Sequence, residues 1–425
     1  FGYSSFGRRL LESRPIGKEV GTEPNMGSIE PPMGSVNIVA NEHHSVVAGE
    51  FAADNIPGTL EQVLSPNTLN LSSIDPTNVS DPPSKETLES IRNLINQDGP
   101  GFFYLRMNEE EEQAAHAALH SSRDQLFPLP FEDKQKLANG PEQWFRYGGY
   151  RIPASGPGFR AAGADANFLR DQRESYNVGW DTCRCPDPPY GATPWPDEAS
   201  APGFRSVCET YTALLLKRSH WLRKLLAQVM TMEEGKNDEL NGLHDDKLFD
   251  RSAYLLGFVR YQPVASALDL PQNQQKFGIA PHQDGGVFTL LYTDGSPGLQ
   301  VCPSWGGTGI HRTSTMHDKE LQWYDVPFRK GHWIVNLGTM MSRWSSGLFK
   351  ATLHRVVIKD QKSEAARHSM PFFYEPNVDA EVRPVVVARS GTASPVGATR
   401  TITPGQIALD MAKQDGLALV RDGGA

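Results

Sequence analysis

The sequence predicts a mainly β protein with flanking helices, its strands arranged as a sandwich, barrel or jelly roll. Two observations carry this. Beyond Ser252 the apolar period is strand-like: "SAYLLGFVRYQPV", "GVFTLLYTD", "GLQVCP", "GHWIVNLG", "ATLHRVVI" and "RHSMPFFYEP" are short runs separated by turn residues. Before it the period is helical, most clearly in "FRSVCETYTALLLKRSHWLRKLLAQVMTM", where Val207, Tyr211, Leu214, Leu215, Leu222, Leu225, Leu226 and Val229 form one stripe.

Taken in chain order, Phe1 to about Val79 is rich in Gly, Pro, Ser and Asn without a sustained period, which predicts loops with a short strand near "SVNIVA". Residues 1–65 are set apart as an N-terminal extension. Order is expected from "PPSKETLESIRNLINQDGPGFFYL", where Leu88, Ile91 and Ile95 mark a helical face, Gly99 and Pro100 stop it, and Gly101 to Leu105 continue as a strand. In "NEEEEQAAHAALHSSRDQLF", Asn108 and Glu111 are spaced as a capping box. Residues 140–203 are Gly- and Pro-rich, predicting ordered irregular structure; Tyr147, Tyr150, Tyr176 and Trp180, with Phe373, would give a pocket an aromatic lining, or simply pack. The expected division is a helical and mixed region over 66–250, a core over 251–378 and a C-terminal extension over 379–425.

Composition narrows the function classes. A formal net charge of −9 with 21% charged residues over 425 residues disfavours a polyanion as partner. The expectation is an acidic protein acting on a small-molecule substrate, with no nucleic acid and no membrane partner, as a monomer or weak homo-oligomer. Cys183, Cys185, Cys208 and Cys302 are too scattered for a disulfide framework or a paired zinc site. No apolar run reaches membrane-span length and "VRDGGA" is no sorting signal, so a cytoplasmic location is expected. The Ser and Arg bias of "FGYSSFGRRLLESRP", offset by Glu12 and Glu19, leaves organelle targeting open.

The chemistry centres on "APHQDGGVFTLL". On a strand, residues i and i+2 share a face, so His282 and Asp284 can converge on one divalent metal. His354, in the otherwise apolar "KATLHRVVIKD", offers a third ligand, and two histidines with one carboxylate leave open positions of the kind used by non-haem iron(II) oxygenases. Each ligand has a plainer reading, since a lone strand histidine is more often a hydrogen-bonded core residue. Thirteen residues after His354, Arg367 and Ser369 again stand i and i+2, and a guanidinium beside a hydroxyl suits a carboxylate. The apolar neighbours Met370, Phe372 and Phe373 argue for burial, where an unpaired arginine is costly.

With these residues in view, the chain resembles iron(II)- and 2-oxoglutarate-dependent dioxygenases of the isopenicillin N synthase-like group over roughly residues 66–380. "HQDGGVFTLLYTD...GLQV" is similar to the family's H-x-D-x-G strand and its continuation, "GHWIVNLGTMMSRWSSGLFKATLHRVV" to its distal-histidine block, and "RHS" to its R-x-S motif; "GPGFFYL" and "FPLPFEDKQKL" match its N-terminal region. The resemblance implies a distorted double-stranded β-helix (jelly roll), Fe(2+) held by His282, Asp284 and His354, and 2-oxoglutarate gripped by Arg367 and Ser369. It implies an oxidoreductase of the kind met in secondary metabolism, consuming O2 and 2-oxoglutarate, releasing succinate and CO2, and hydroxylating, desaturating or cyclising a small organic molecule. Tyr261 is a further cosubstrate candidate, although the family's tyrosine usually precedes the proline directly and here Gln262 does. Thr339 stands where the family commonly has an aspartate. The histidine interval, 354 − 282 = 72, is longer than usual, and "GGTGIHRTSTMHDKE" (306–320) reads as the insertion, a lid or a solvated decoration.

Rival readings remain. An oxidase of the isopenicillin N synthase type keeps the triad without 2-oxoglutarate, its R-x-S pair holding the substrate's carboxylate. A non-catalytic binder would have no need of three iron ligands, and a zinc hydrolase would leave R-x-S unexplained and lacks an evident base.

Overall fold

A computed structural model describes residues 68–69, 71–138, 149–151, 173–179, 193–231, 242–261, 277–306, 321–358, 365–383 and 403. The elements in chain order are β1 (Ser73–Ile74), α1 (Lys85–Ile95), β2 (Phe102–Arg106), α2 (Glu109–Ser121), α3 (Phe131–Leu137), β3 (Gly149–Arg151), β4 (Arg173–Gly179), α4 (Phe204–Thr231) and β5 (Tyr254–Tyr261). They continue with β6 (Phe277–His282), β7 (Phe288–Thr293), β8 (Leu299–Gly306), β9 (Tyr324–Asp325), β10 (His332–Leu337), α5 (Thr339–Trp344), β11 (Thr352–Val357) and β12 (Arg367–Tyr374). An eight-stranded sheet has the order β1-β2-β10-β7-β12-β5-β4-β3, and a four-stranded sheet the order β6-β11-β8-β9. The large sheet takes four of its strands from residues before 251.

Alternation along the strands explains why two layers form. In the large sheet Phe103, Leu105, Leu256, Phe258, Leu290, Tyr292, Trp333, Val335, Met370 and Phe372 share one cluster with residues of α1, α2 and α4. Their opposite-face neighbours Phe102, Tyr104, Val259, Tyr261 and Ile334 pack with Leu299 and Val301 of β8 and Val356 of β11. One face therefore meets helices and the other meets the small sheet, as a period of two requires when both faces are covered.

The helices follow local signals. Asn108 caps α2 in a complete capping box: its side chain accepts from the Glu111 amide, and Glu111 accepts from the Asn108 amide. Glu111 also takes a two-pronged pair from Arg218 of α4, both bonds 2.9 Å, which ties α2 to α4 where both side chains are nearly buried. On α4 the predicted stripe is mostly buried, but Val207 and Leu214 are only half-buried, while Phe204, Cys208, Ser219 and Arg223 join the buried face. Arg223 is fully buried because its guanidinium donates to the Leu243 carbonyl and the Asp246 carboxylate and lies over the Phe249 ring.

Some expectations are corrected. The stretch over 140–203, expected to be irregular, contributes β3 and β4, which extend the large sheet beyond β5. In β4 the face without apolar residues carries Arg173, Ser175 and Asn177, so the alternation that would have announced a strand is polar against mixed. Tyr176 is no pocket residue: it packs with Phe204 in the helix-facing cluster and donates its hydroxyl proton to the Pro194 carbonyl. The "SVNIVA" strand, Tyr147, Trp180, the side chain of Tyr150 and insertion residues 307–320 lie outside the described residues. The strands flanking that insertion, β8 and β9, pair antiparallel, so 307–320 belong to the connection between them.

Candidate active site

His282 ends β6 and His354 lies within β11, and the two are direct partners in the antiparallel ladder, with ring centroids 4.2 Å apart. Asp284 is not on the β6 strand face, as the i, i+2 argument had it, but in the turn that carries the chain from β6 to β7. Gly285 and Gly286 follow it, and a Cβ on Gly338 would overlap the Gly286 carbonyl, so two backbones meet there without side chains. The corner returns the carboxylate to the histidines all the same. Asp284 Oδ1 lies 3.7 Å from His282 Nε2 and 3.5 Å from His354 Nε2.

Each group is aimed by another. His282 and His354 place Nδ1 against the carbonyls of Ala280 (2.9 Å) and Thr352 (3.1 Å), which turns both Nε2 atoms inward. Asp284 Oδ2 accepts from Thr289 Oγ1 at 2.6 Å and from Asn336 Nδ2 at 2.8 Å, leaving Oδ1 to the histidines. Thr289 and Asn336 are partners across β7 and β10, and Asn336 in turn pairs with Phe102 of β2, whose ring meets the His354 ring edge-on. One transverse row of the large sheet thus supports the cluster. Sequence reasoning passed over Thr289 and Asn336; polar residues at inward positions of "GVFTLLYTD" and "GHWIVNLG" were the available signal. Thr339 is fully buried at the start of α5 and donates its amide to the Asp284 carbonyl at 2.8 Å, which braces the same turn.

Burial works to raise the Asp284 carboxyl, but the charge and hydrogen bond of His354, the charge of His282 and the Asn336 amide prevail and hold it below the usual carboxylate range. Burial likewise works to lower His354, and Asp284 prevails, raising it. A buried, ionised carboxylate facing two imidazole nitrogens is a site where a divalent cation can stand in for protons. Among the described residues, His282, Asp284 and His354 form the one such group, their ligand atoms within 4.8 Å of one another.

Arg367 opens β12 and is 8% exposed, with Ser369 at 2% on the same face. Arg367 pairs in register with Tyr261 of β5, and its guanidinium lies 4.9 Å from that ring's centroid. Its Nε donates to the Ser296 carbonyl at 3.3 Å, but its Nη1 is buried with no partner among the described residues. A buried cation with an unused donor, a hydroxyl two residues away and an aromatic face beneath it is suited to an anionic ligand.

Comparison with known proteins agrees with this geometry. Residues 253–376 match the family model described as the 2OG-Fe(II) oxygenase superfamily. A 2-oxoglutarate-dependent dioxygenase of Gibberella zeae is 32% identical over 301 residues, 68% of this chain and 70% of the relative. Clavatol oxidase of Penicillium crustosum is 27% identical over 315 residues, 71% of this chain and 83% of the relative. Among solved structures, a full-length Neurospora crassa protein in complex with alpha-KG and thymine superposes with a TM-score of 0.62 at 22% identity, over 83% of this chain and 99% of that one.

Proposed function

Because the chain belongs to the 2OG-Fe(II) oxygenase superfamily and is a 2-oxoglutarate-dependent dioxygenase using Fe(II), 2-oxoglutarate and O2, we propose that His282, Asp284 and His354 are its iron ligands. Arg367 and Ser369 then grip the far carboxylate of 2-oxoglutarate, and Tyr261 lies under the guanidinium that does so. The observation that carries the cosubstrate assignment is the buried Nη1 of Arg367, without a partner among the described residues, on the face it shares with Ser369. When bound, iron and 2-oxoglutarate activate dioxygen and supply the oxidant, with succinate and CO2 released.

The chain's own residues orient and shield. His282 and His354 present Nε2 because their Nδ1 atoms are engaged by backbone carbonyls, and Asp284 presents Oδ1 because Thr289 and Asn336 hold Oδ2. Phe102, fully buried against the His354 ring, keeps water from that side of the cluster. The substrate is a small organic molecule, hydroxylated, desaturated or cyclised according to how the pocket presents its carbon. A cytoplasmic monomer or weak homo-oligomer, with neither nucleic acid nor membrane as partner, completes the reading, the net charge of −9 arguing against a polyanionic partner. Among the described residues no helix is long and apolar enough to cross a membrane.

The test is an anaerobic Fe(II) titration followed by 2-oxoglutarate, read by the metal-to-ligand absorption band, and succinate measured after air is admitted. Asp284→Ala should lose stoichiometric iron while remaining folded. Retained iron would remove Asp284 from the site. Substrate oxidation without succinate would favour the 2-oxoglutarate-independent oxidase, with Arg367 and Ser369 holding the substrate's carboxylate instead.

A further inference from the structure

One titratable group close to the cluster has no part in that scheme. Glu375 follows β12 directly, and its backbone still belongs to the ladder, its amide donating to the Ala253 carbonyl at 2.9 Å. The alternation that turns Arg367, Ser369 and Phe373 to one face therefore turns Glu375 to it as well. Arg367 and Glu375 stand at opposite ends of that face, eight residues or ~26 Å of strand apart, so Glu375 is remote from the cosubstrate's carboxylate grip. It stands instead beside the turn that carries Asp284. A Cβ at Gly286 would lie 3.2 Å from Glu375 Cγ and 3.5 Å from its Oε1.

Glu375 is deep yet not closed off. Burial pushes its carboxyl up to about 7, while the residue as a whole keeps intermediate exposure. No described side chain bonds or charge-pairs with it, although the Ser252 hydroxyl donates to its backbone carbonyl at 2.5 Å and the Val287 amide to the preceding Tyr374 carbonyl at 3.0 Å. A side chain left unpaired on a backbone held from both sides is prepared for a partner that arrives from outside.

We propose that Glu375 is a substrate-binding residue, its carboxyl receiving a hydrogen-bond donor, a hydroxyl or an ammonium group, of the small molecule oxidised at the neighbouring cluster. The proposal rests on the metal reading above. It makes the pocket selective by the rule that a site built around a polar group rejects the analogue that leaves that group unmet.

The probes are benzyl alcohol, benzylamine and toluene, one ring bearing a hydroxyl, an ammonium or neither. Their binding to the protein loaded with Mn(II) and 2-oxoglutarate is read from paramagnetic broadening of the probe's NMR lines. At pH 8, where the Glu375 carboxyl is ionised, the alcohol or the amine should bind roughly tenfold to a hundredfold more tightly than toluene, as expected for a hydrogen bond to a charged group out of water. Glu375→Leu should abolish the preference. Glu375→Gln should keep it for the alcohol and lose it for the amine, which separates the two donors. Both variants should fold, because each removes an unpaired buried carboxyl, and Glu375→Ala provides a second apolar replacement. An unchanged ranking in Glu375→Leu or Glu375→Ala, or equal binding of all three probes by the unaltered protein, overturns the proposal. In either case the protein still binds Mn(II) and 2-oxoglutarate. Failure of the metal reading would show instead as absence of stoichiometric Mn(II) from the unaltered protein.

Discussion

The prediction that most directly tests how the cluster is built concerns neither histidine nor aspartate but the two side chains behind them. Thr289 and Asn336 both donate to Asp284 Oδ2, at 2.6 and 2.8 Å, and Asp284 is only 6% exposed. Thr289→Val is nearly isosteric and removes one donor, and Asn336→Leu removes the other at similar volume. A hydrogen bond to a buried charge contributes roughly 1.5–3 kcal/mol. Part of that loss destabilises the free protein as well as the metal-bound one, so the share visible in metal binding should be a weakening of about ten- to a hundredfold for each variant. In the double variant Oδ2 has no side-chain donor, burial is less opposed, and the carboxyl should titrate upward, so metal affinity should fall more steeply with decreasing pH than in the unaltered protein. Calorimetric titration with Mn(II) at two pH values measures this, with thermal melts to show that the sheet persists. Unaltered Mn(II) affinity in both single variants would refute the idea that Oδ2 anchoring directs Oδ1 to the metal.

Three further outcomes are expected. Arg367→Ala should weaken 2-oxoglutarate binding by on the order of 2–5 kcal/mol, and Arg367→Lys should not restore it, since an ammonium cannot reproduce the fork; unchanged 2-oxoglutarate titrations of the Fe(II) protein would remove Arg367 from the grip. Glu375 rises from 4.5 to about 7 in the fold, so the native state favours its protonated form: the penalty is absent below pH 4.5, grows as pH rises, and is complete above about 7. Glu375→Gln should accordingly stabilise the protein by about 3 kcal/mol in denaturant unfolding at pH 8 and by little at pH 4.5, and an equal effect at both would contradict the sign. Arg218→Ala should cost about 3–5 kcal/mol by leaving the nearly buried Glu111 carboxylate without its two-pronged partner, an effect that vanishes if the pair is dispensable to the packing of α2 on α4.

Much of this was legible in the sequence wherever a residue's neighbours along the chain decide its environment. The capping box at Asn108 and Glu111 and the strands carrying Leu290, Val335 and Met370 are of that kind, while His354 betrayed itself only as a lone polar residue in an apolar run and meets His282 through the pairing of β11 with β6. Asp284 meets the expected neighbours from a corner and not from a strand face, because a strand pattern does not show where a strand ends and a corner begins. β4 was missed because one of its faces is wholly polar, carrying Arg173, Ser175 and Asn177, and the other begins with Glu174. Thr289 and Asn336, 47 residues apart by subtraction (336 − 289), become neighbours only through the pairing of β7 with β10, and no local pattern contains that.

The direct pairing of His282 with His354 separates the site's spacing from the length of chain between its members. Strands β7 to β10, their loops and the 307–320 stretch all lie within that interval, yet a single rung of one ladder fixes the distance between the rings. Loops in this interval can lengthen, shorten or exchange sequence without loosening the metal's seat, provided the strands that flank them keep their register. Such a scaffold can change its clientele while keeping its tool. For an engineer the β8 to β9 connection is accordingly the place to graft new recognition, and the ladder of β6 with β11 the place to leave untouched.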